Sequence, residues 1–215
     1  FNVGIIDDSL PNADRTVQLT LANPAGGAVI LQSNSIITIL DDDSTVTFSS
    51  ANYAVAENAG QVPVTIQRGG STNVTLLVTM STSDGTAING IDYIPLVTNL
   101  VFLPGVTTLT VPVSIIDDTK ITGDHVFNLD FSGLSTTPSG SPVFGLNSAS
   151  VTIIDDDLGI QFSAPTYAVL ENAGKVTVAV LRTGVTNATF TVDYATANLS
   201  AVAGLHYGAT NGTLS

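Results

Sequence analysis

Ala149-Ser-Val-Thr-Ile-Ile-Asp-Asp-Asp157 decides how the rest of the chain reads. Val151 and Ile153 alternate with Ser150 and Thr152, the period of a half-buried strand, and three adjacent carboxylates end the run. The same design closes at Asp43, 114 residues earlier, as Ser35-Ile-Ile-Thr-Ile-Leu-Asp-Asp-Asp43. Tyr53-Ala-Val-Ala-Glu57-Asn-Ala-Gly60 recurs at Tyr167-Ala-Val-Leu-Glu171-Asn-Ala-Gly174, again 114 residues on. Gly4-Ile-Ile-Asp-Asp8 recurs as Ser114-Ile-Ile-Asp-Asp118 at a spacing of 110. Independent landmarks sharing one spacing identify an internal repeat. One complete unit runs over 44–157, with the rear part of a unit at 1–43 and the front part of another at 158–215.

Within the complete unit, period-two alternation recurs from end to end. Val46/Phe48, Tyr53/Val55, Val62/Val64/Ile66, Val74/Leu76/Val78, Leu109/Val111/Val113/Ile115, Phe127/Leu129/Phe131 and Val151/Ile153 each put apolar side chains on one face. Gly, Asn, Asp and Ser clusters separate these runs, and no segment has a helical period. Pro63 and Pro112, inside two of the runs, point to edge positions or bulges. About seven short strands per unit predict an all-β fold of tandem immunoglobulin-like antiparallel β-sandwich repeats. If short connections make the strands alternate in direction, a first strand over Val46–Val55 leads to Glu57. The third then leads to Asp84 and Asp92, the fifth to Asp117 and Asp118, and the seventh to Asp155–Asp157. All of these acids reach the same end of the sandwich.

Composition narrows the chemistry. Acidic residues outnumber basic ones 18 to 5, for a net charge of −13. That balance disfavours nucleic acid and anionic lipid as partners. Ten of the 16 Asp fall in the four runs 7–8, 41–43, 117–118 and 155–157. Adjacent carboxylates repel, so clustering on this scale implies a compensating cation. With no Cys the chain has no disulfide, thiolate ligand or thiol nucleophile. Oxygen donors from separate loops suit calcium, which takes six to eight oxygens in flexible geometry, better than magnesium with its strict octahedron. The alternative is that these aspartates cap turns through nearby backbone N–H groups.

The ordered motifs Tyr53-x-Val-x-Glu57-Asn-x-Gly60, Arg68-x-Gly70, Asp84-Gly-Thr-Ala-x-x-Gly-x-Asp92-Tyr93, Phe102-x-Pro-Gly105, Ile115-Ile-Asp117-Asp118 and Val151-Thr-Ile-Ile-Asp155-Asp156-Asp157 resemble the Calx-β motif. That family includes the calcium-sensing domains of sodium–calcium exchangers and many large bacterial surface proteins. The resemblance implies a Ca2+ ligand set of Glu57, Asp92, Asp117, Asp118, Asp155, Asp156 and Asp157. By repeat equivalence it extends to Asp7, Asp8, Asp41, Asp42 and Glu171. This sequence departs from the family pattern in several places. Thr122 and His125 stand where acids are expected, Lys120 adds a positive charge, and Asn12 and Arg15 replace acids in the first unit. His206 takes the place of Asp92 in the third. These departures lead to an expectation of one site per unit.

Other readings carry less. His125 and His206 belong to different units, which disfavours a shared zinc site. No nucleophile elbow or triad order is present, and Asp84 reads as a turn acid beside Gly85 more readily than as half of a glycosidase pair. The Asn-x-Ser/Thr triplets at Asn73, Asn187, Asn198 and Asn211 are of a kind that arises by chance in a Thr- and Asn-rich chain. The expected function is therefore non-enzymatic: a calcium-stiffened segment of an extracellular or cell-surface bacterial protein, such as an adhesin or a fibre-forming protein. A calcium-sensing module of a transporter and an accessory module of a secreted enzyme are the alternatives. Neighbouring repeats, of the same chain or of identical chains in a head-to-tail fibre, are the expected partners. No stretch has the roughly 20 consecutive apolar residues of a membrane span.

Overall fold

A computed structural model describes residues 1–138, 140–185 and 189–215. Its contacts divide the chain into two units, Phe1–Asp156 and Asp157–Ser215. In the first, β1 (Arg15–Thr20) and β2 (Asn34–Ile39) form an antiparallel hairpin in which Arg15 faces Ile39. A sandwich follows, opening with β3 (Ser44–Phe48), β4 (Asn52–Ala56), a one-turn 3₁₀ helix (Glu57–Ala59), β5 (Gln61–Gly70) and β6 (Thr75–Asp84). It continues with β7 (Val97–Phe102), β8 (Thr108–Ser114), β9 (His125–Thr137), β10 (Val143–Phe144) and β11 (Ser148–Ile154). One sheet has the order β10-β3-β5-β8 and the other β4-β11-β9-β6-β7.

Among the described residues the sandwich has nine strands, more than the seven read from alternation, and the first reason is a change of sheet. The expected strand over Val46–Val55 breaks at Ser49–Ala51. β3 pairs antiparallel with β5, whereas β4 runs parallel to β11 in the opposite sheet. Tyr53 holds the switch, its hydroxyl donating to the Thr65 carbonyl at 3.0 Å. The second reason is β10, two residues that pair with the start of β3. Pro63 and Pro112 face each other across β5 and β8, the latter an edge strand. The bonds Ile115 N–H to Gly60 O and Arg68 N–H to Thr107 O put the hydrogen-bonded pairs of this ladder at even-numbered positions of 60–68, so Pro63 and Pro112 form a non-hydrogen-bonded pair and cost the ladder no bond.

The alternating residues fill the interior. Val46, Val64, Ile66, Leu76, Met80, Phe102, Phe127, Leu129 and Val151 are wholly buried between the sheets. Phe48 stacks on Phe131 with ring centroids 3.8 Å apart, and Tyr93 stacks on Phe127 at 4.2 Å.

The hairpin connects to the base of the sandwich through Asp43. Ser71 N–H donates to the Asp43 carbonyl at 2.8 Å, and Ser44 Oγ donates to Ser71 O at 2.7 Å. Buried Arg68 spans the same base, donating to Ser44 Oγ and to Val74 O. Gly70 has φ 71°, and a Cβ there would stand 2.6 Å from Asp43 O and 2.8 Å from Pro11 Cβ. A Cβ on Gly140 would come within 3.0 Å of Asp42 O. Glycine at these positions lets backbone from two repeats meet without intervening side chains.

The second unit holds β12 (Leu158–Phe162), a one-turn 3₁₀ helix (Glu171–Ala173), β13 (Val180–Gly184), β14 (Val192–Ala195) and β15 (Asn211–Leu214). It repeats local details of the first. Leu158 pairs with Gly184 as Ser44 does with Gly70, and Tyr167 OH donates to Ala179 O as Tyr53 does to Thr65. Val176 and Val178 are 48% and 45% exposed, whereas their counterparts Val62 and Val64 are 3% and 0% exposed.

Phe127→Ala removes a wholly buried ring and its stacking partner contact. It is expected to cost the sandwich about 3–5 kcal/mol, read as a lower urea midpoint with an unchanged slope.

Candidate metal centre

Four strand ends of the sandwich deliver acids to one end. β4 runs into the helix that starts at Glu57, β6 ends at Asp84, β8 precedes Asp117-Asp118 and β11 precedes Asp155-Asp156-Asp157. Glu57 and Asp155 are buried, 6% and 8% exposed. Together with Asp157 they each place a carboxylate oxygen within 4.8 Å of the others. Like charges at that separation, partly withdrawn from water, repel strongly unless a cation joins them.

Backbone donors fix Asp155 in place. Its Oδ2 accepts from Thr122 N at 2.8 Å and Gly123 N at 2.6 Å, and its own N–H donates to Asp124 Oδ1 at 3.2 Å. Asp156 Oδ2 accepts from Asn58 Nδ2, while its Oδ1 is buried with no hydrogen-bond partner among the described residues. A buried carboxylate oxygen that lacks a donor is costly, and an all-oxygen donor set fits a hard cation such as calcium.

The remaining acids of this end are engaged differently. Asp92 Oδ2 accepts from Ile88 N at 2.6 Å, and its Oδ1 lies 3.3 Å from His125 Nδ1. Asp118 Oδ1 accepts from Lys120 N at 2.5 Å and its Oδ2 pairs with Lys120 Nζ at 2.9 Å. This bond holds the Asp118 carboxyl below its usual range and raises the Lys120 ammonium, with the charges of Asp92 and Glu57 adding to the latter. Asp117 is exposed. Thr122, one of the positions lacking the usual acid, contributes its backbone N–H instead.

Asp84 is a loop clasp. Its Oδ1 accepts from Tyr93 OH at 2.6 Å and from Asn89 N at 2.9 Å, and its Oδ2 accepts from Asn89 Nδ2 at 2.8 Å. The second unit rebuilds the clasp with different residues. Asn198 Oδ1 accepts from Tyr207 OH at 2.7 Å and from Ala203 N at 2.9 Å, and His206 Nδ1 accepts from Val202 N at 3.0 Å, as Asp92 does from Ile88. Asn198 is thus occupied within its loop, Asn73 and Asn211 are exposed, and Asn187 lies outside the described residues.

A second acidic end belongs to the hairpin. Asp7, Asp8, Asp41, Asp42 and Asp43 line a cleft of about 360 Å³ with Asn12 and Arg15. Its hydrogen-bond frame copies that around Asp155: Asn12 N donates to Asp41 Oδ2 at 3.1 Å and Asp41 N donates to Asp14 Oδ1 at 3.0 Å. Arg15 Nη1 pairs with Asp8 Oδ2 at 3.1 Å. Asp43, which the sequence reading left out of the ligand set, is 2% exposed with an unpartnered Oδ1. Burial raises its pKa first, and the negative charges of Asp41, Asp42, Asp7 and Asp8 raise it further. The available signal was its place directly before β3, where a residue must enter the packed base of the next repeat. Glu171 is exposed, at the start of a one-turn helix like that of Glu57.

A family model described as the Calx-beta domain matches residues 1–43, 40–157 and 158–215. The chain belongs to the Calx-beta domain family. Similar proteins include Extracellular matrix protein 3 of Lytechinus variegatus, 36% identical over 84% of this chain and 6% of its own length. Sodium/calcium exchanger 1 of Rattus norvegicus is 34% identical over 73% of this chain and 18% of its own length. The chain therefore spans a small fraction of either relative. Among solved structures, the calcium binding domain CBD12 of CALX1.1 is 28% identical, with a TM-score of 0.51 over 79% of this chain and 68% of that one.

The Tyr93–Asp84 bond gives the Calx-beta sandwich an alkaline limit. Burial, followed by the Asp84 hydrogen bond, pushes the Tyr93 pKa up to about 12. The folded state therefore holds this proton more tightly than the unfolded chain, which releases it near pH 10. The stabilisation is complete below pH 10 and is lost as pH rises towards 12, by about 2–3 kcal/mol. Tyr93→Phe is expected to be less stable at pH 7 and to show a shallower loss between pH 10 and 12, measured by urea denaturation at each pH.

Proposed function

We propose that this chain is a non-catalytic, calcium-binding structural segment of an extracellular protein, in which the ion stiffens the repeats and the joints between them. The carrying observation is the convergence of Glu57, Asp155 and Asp157 within 4.8 Å, two of the three buried. In this reading they form the centre of the site in the complete repeat. Asp156 Oδ1, Asp117, Asp118 and Asp92 complete its acidic surround. The equivalent set in the first repeat is Asp7, Asp8, Asp41, Asp42 and Asp43, the counterpart of Asp157, and Glu171 begins the set of the third. Bound calcium neutralises the crowded carboxylates and adds its binding free energy to folding.

The stiffening role follows from where the ligands sit in the chain. Asp41 and Asp42 lead without a spacer into Asp43 and β3, so an ion held there fixes the chain at the base of the following sandwich. Neighbouring repeats, of this chain or of a second copy, are the natural cover for the exposed Val176 and Val178 face. The extracellular matrix relative of Lytechinus variegatus favours an extracellular surface, adhesin or fibre protein. The exchanger relative favours a second reading, a calcium-sensing module of a transporter. Thr122 and His125 in place of acids weigh towards the structural role.

Calcium is expected to raise the melting temperature of the 215-residue chain in a calorimetric scan, and Glu57→Gln combined with Asp155→Asn, which disables the site of the complete repeat alone, is expected to reduce the gain. The same midpoint in calcium and in chelator would defeat the proposal.

A further inference from the structure

We infer that Arg15 and Lys120 are tethered counter-cations, each holding a cation position beside the second aspartate of its Asp pair, so that each acidic end accepts a single calcium ion. The inference rests on the calcium-binding reading above. Asp8 and Asp118 are equivalent positions, and the same two oxygens are engaged in the same way in each. Each Oδ1 accepts from the backbone N–H two residues on, Leu10 at 2.9 Å and Lys120 at 2.5 Å. Each Oδ2 carries a side-chain cation, Arg15 Nη1 at 3.1 Å and Lys120 Nζ at 2.9 Å.

The two cations have no common origin. Arg15 is seven residues past Asp8, and Lys120 is two residues past Asp118. The counterpart of Lys120 in the first repeat is Leu10, and the counterpart of Arg15 in the second is His125, which faces Asp92 instead. Different side chains from different positions thus reach the same oxygen of the same acid. An accidental surface pair in one loop would not be rebuilt by other means in the next repeat. Each end nevertheless retains a buried carboxylate oxygen without a hydrogen-bond partner among the described residues. Asp43, 2% exposed, lines the first cleft with Oδ1 unpartnered, and Asp156 Oδ1 is buried and unpartnered in the second.

The consequence is electrostatic. The Lys120 and Arg15 side chains are 71% and 60% exposed, yet an ammonium or guanidinium paired with Asp118 or Asp8 repels a divalent ion brought to the same oxygen, so a metal must displace it to bind there. The tethered cation also offsets part of the carboxylate repulsion when calcium is absent, which lessens the dependence of the fold on the ion.

Isothermal titration of calcium into the whole 215-residue chain tests this with Lys120→Gln, Arg15→Gln and the charge-conserving Lys120→Arg. Each Gln variant is expected to take up one further equivalent of calcium or to bind about tenfold more tightly, whereas Lys120→Arg should match the parent. In chelator the Lys120→Gln protein should melt below the parent, and in saturating calcium that gap should close or reverse. Gln variants with the stoichiometry and affinity of the parent would overturn the inference, as would a Lys120→Arg variant that behaves like Lys120→Gln. A parent chain that binds no calcium would instead count against the proposed function. In that case calcium uptake gained by the Gln variants would still support the tethered cations, and none gained would remove them too.

Discussion

Carboxylates buried beside one another are the constraint around which this molecule is arranged. Glu57 and Asp155 are each less than a tenth exposed, and Asp43 is almost wholly buried among four further acids. Desolvation and like charge both oppose ionisation there, so each acidic end needs positive charge from somewhere. Backbone N–H groups supply part, as Thr122 and Gly123 do for Asp155. Side chains supply another part through Arg15 and Lys120. What remains is a deficit that oxygen-only ligands can fill with calcium. The β-sandwich creates the problem, because its antiparallel strands return every second connection to the same end.

The same constraint links the repeats. Asp43 is the last residue of one acidic cluster and the first buried residue of the next base. Its carbonyl receives Ser71 N–H, and its carboxylate lines the cleft of the hairpin. Gly70 and Gly140 remove the side chains that would otherwise separate the two. One residue therefore belongs both to the cleft and to the backbone contact at the base of the following sandwich. The joint behaves as packed structure, unlike a flexible linker of polar residues.

Much of this was legible in the order of residues. Alternation located the inward faces of Val62/Val64/Ile66 and Phe127/Leu129/Phe131, because a half-buried strand has one period and little freedom. Direction followed from short connections, which is why the acids could be placed at one end before any coordinate. The switch of sheets at Ser49–Ala51 was not legible, since Val46, Phe48, Tyr53 and Val55 keep a period of two through it with only a small polar break. Neither was the assignment of individual acids. Asp84, Asp92, Asp118 and Asp155 are the same residue type with similar neighbours, yet one clasps a tyrosine, one caps a loop, one holds a lysine and one enters the carboxylate cluster. Those roles depend on which backbone N–H groups the fold brings within reach, and spacing along the chain does not record that.

The loop after β6 separates these roles. In the complete repeat Asp84 and Asp92 hold the loop through Tyr93 and Ile88 N–H, and in the next repeat Asn198 and His206 make the equivalent bonds to Tyr207 and Val202 N–H. An acceptor of suitable reach is therefore all the loop requires, and negative charge is dispensable for its shape. Negative charge at Asp92 must then serve something outside the loop. Its Oδ1 already faces His125 and its field reaches Lys120. The loop frame can thus be conserved in shape while its charge varies from repeat to repeat.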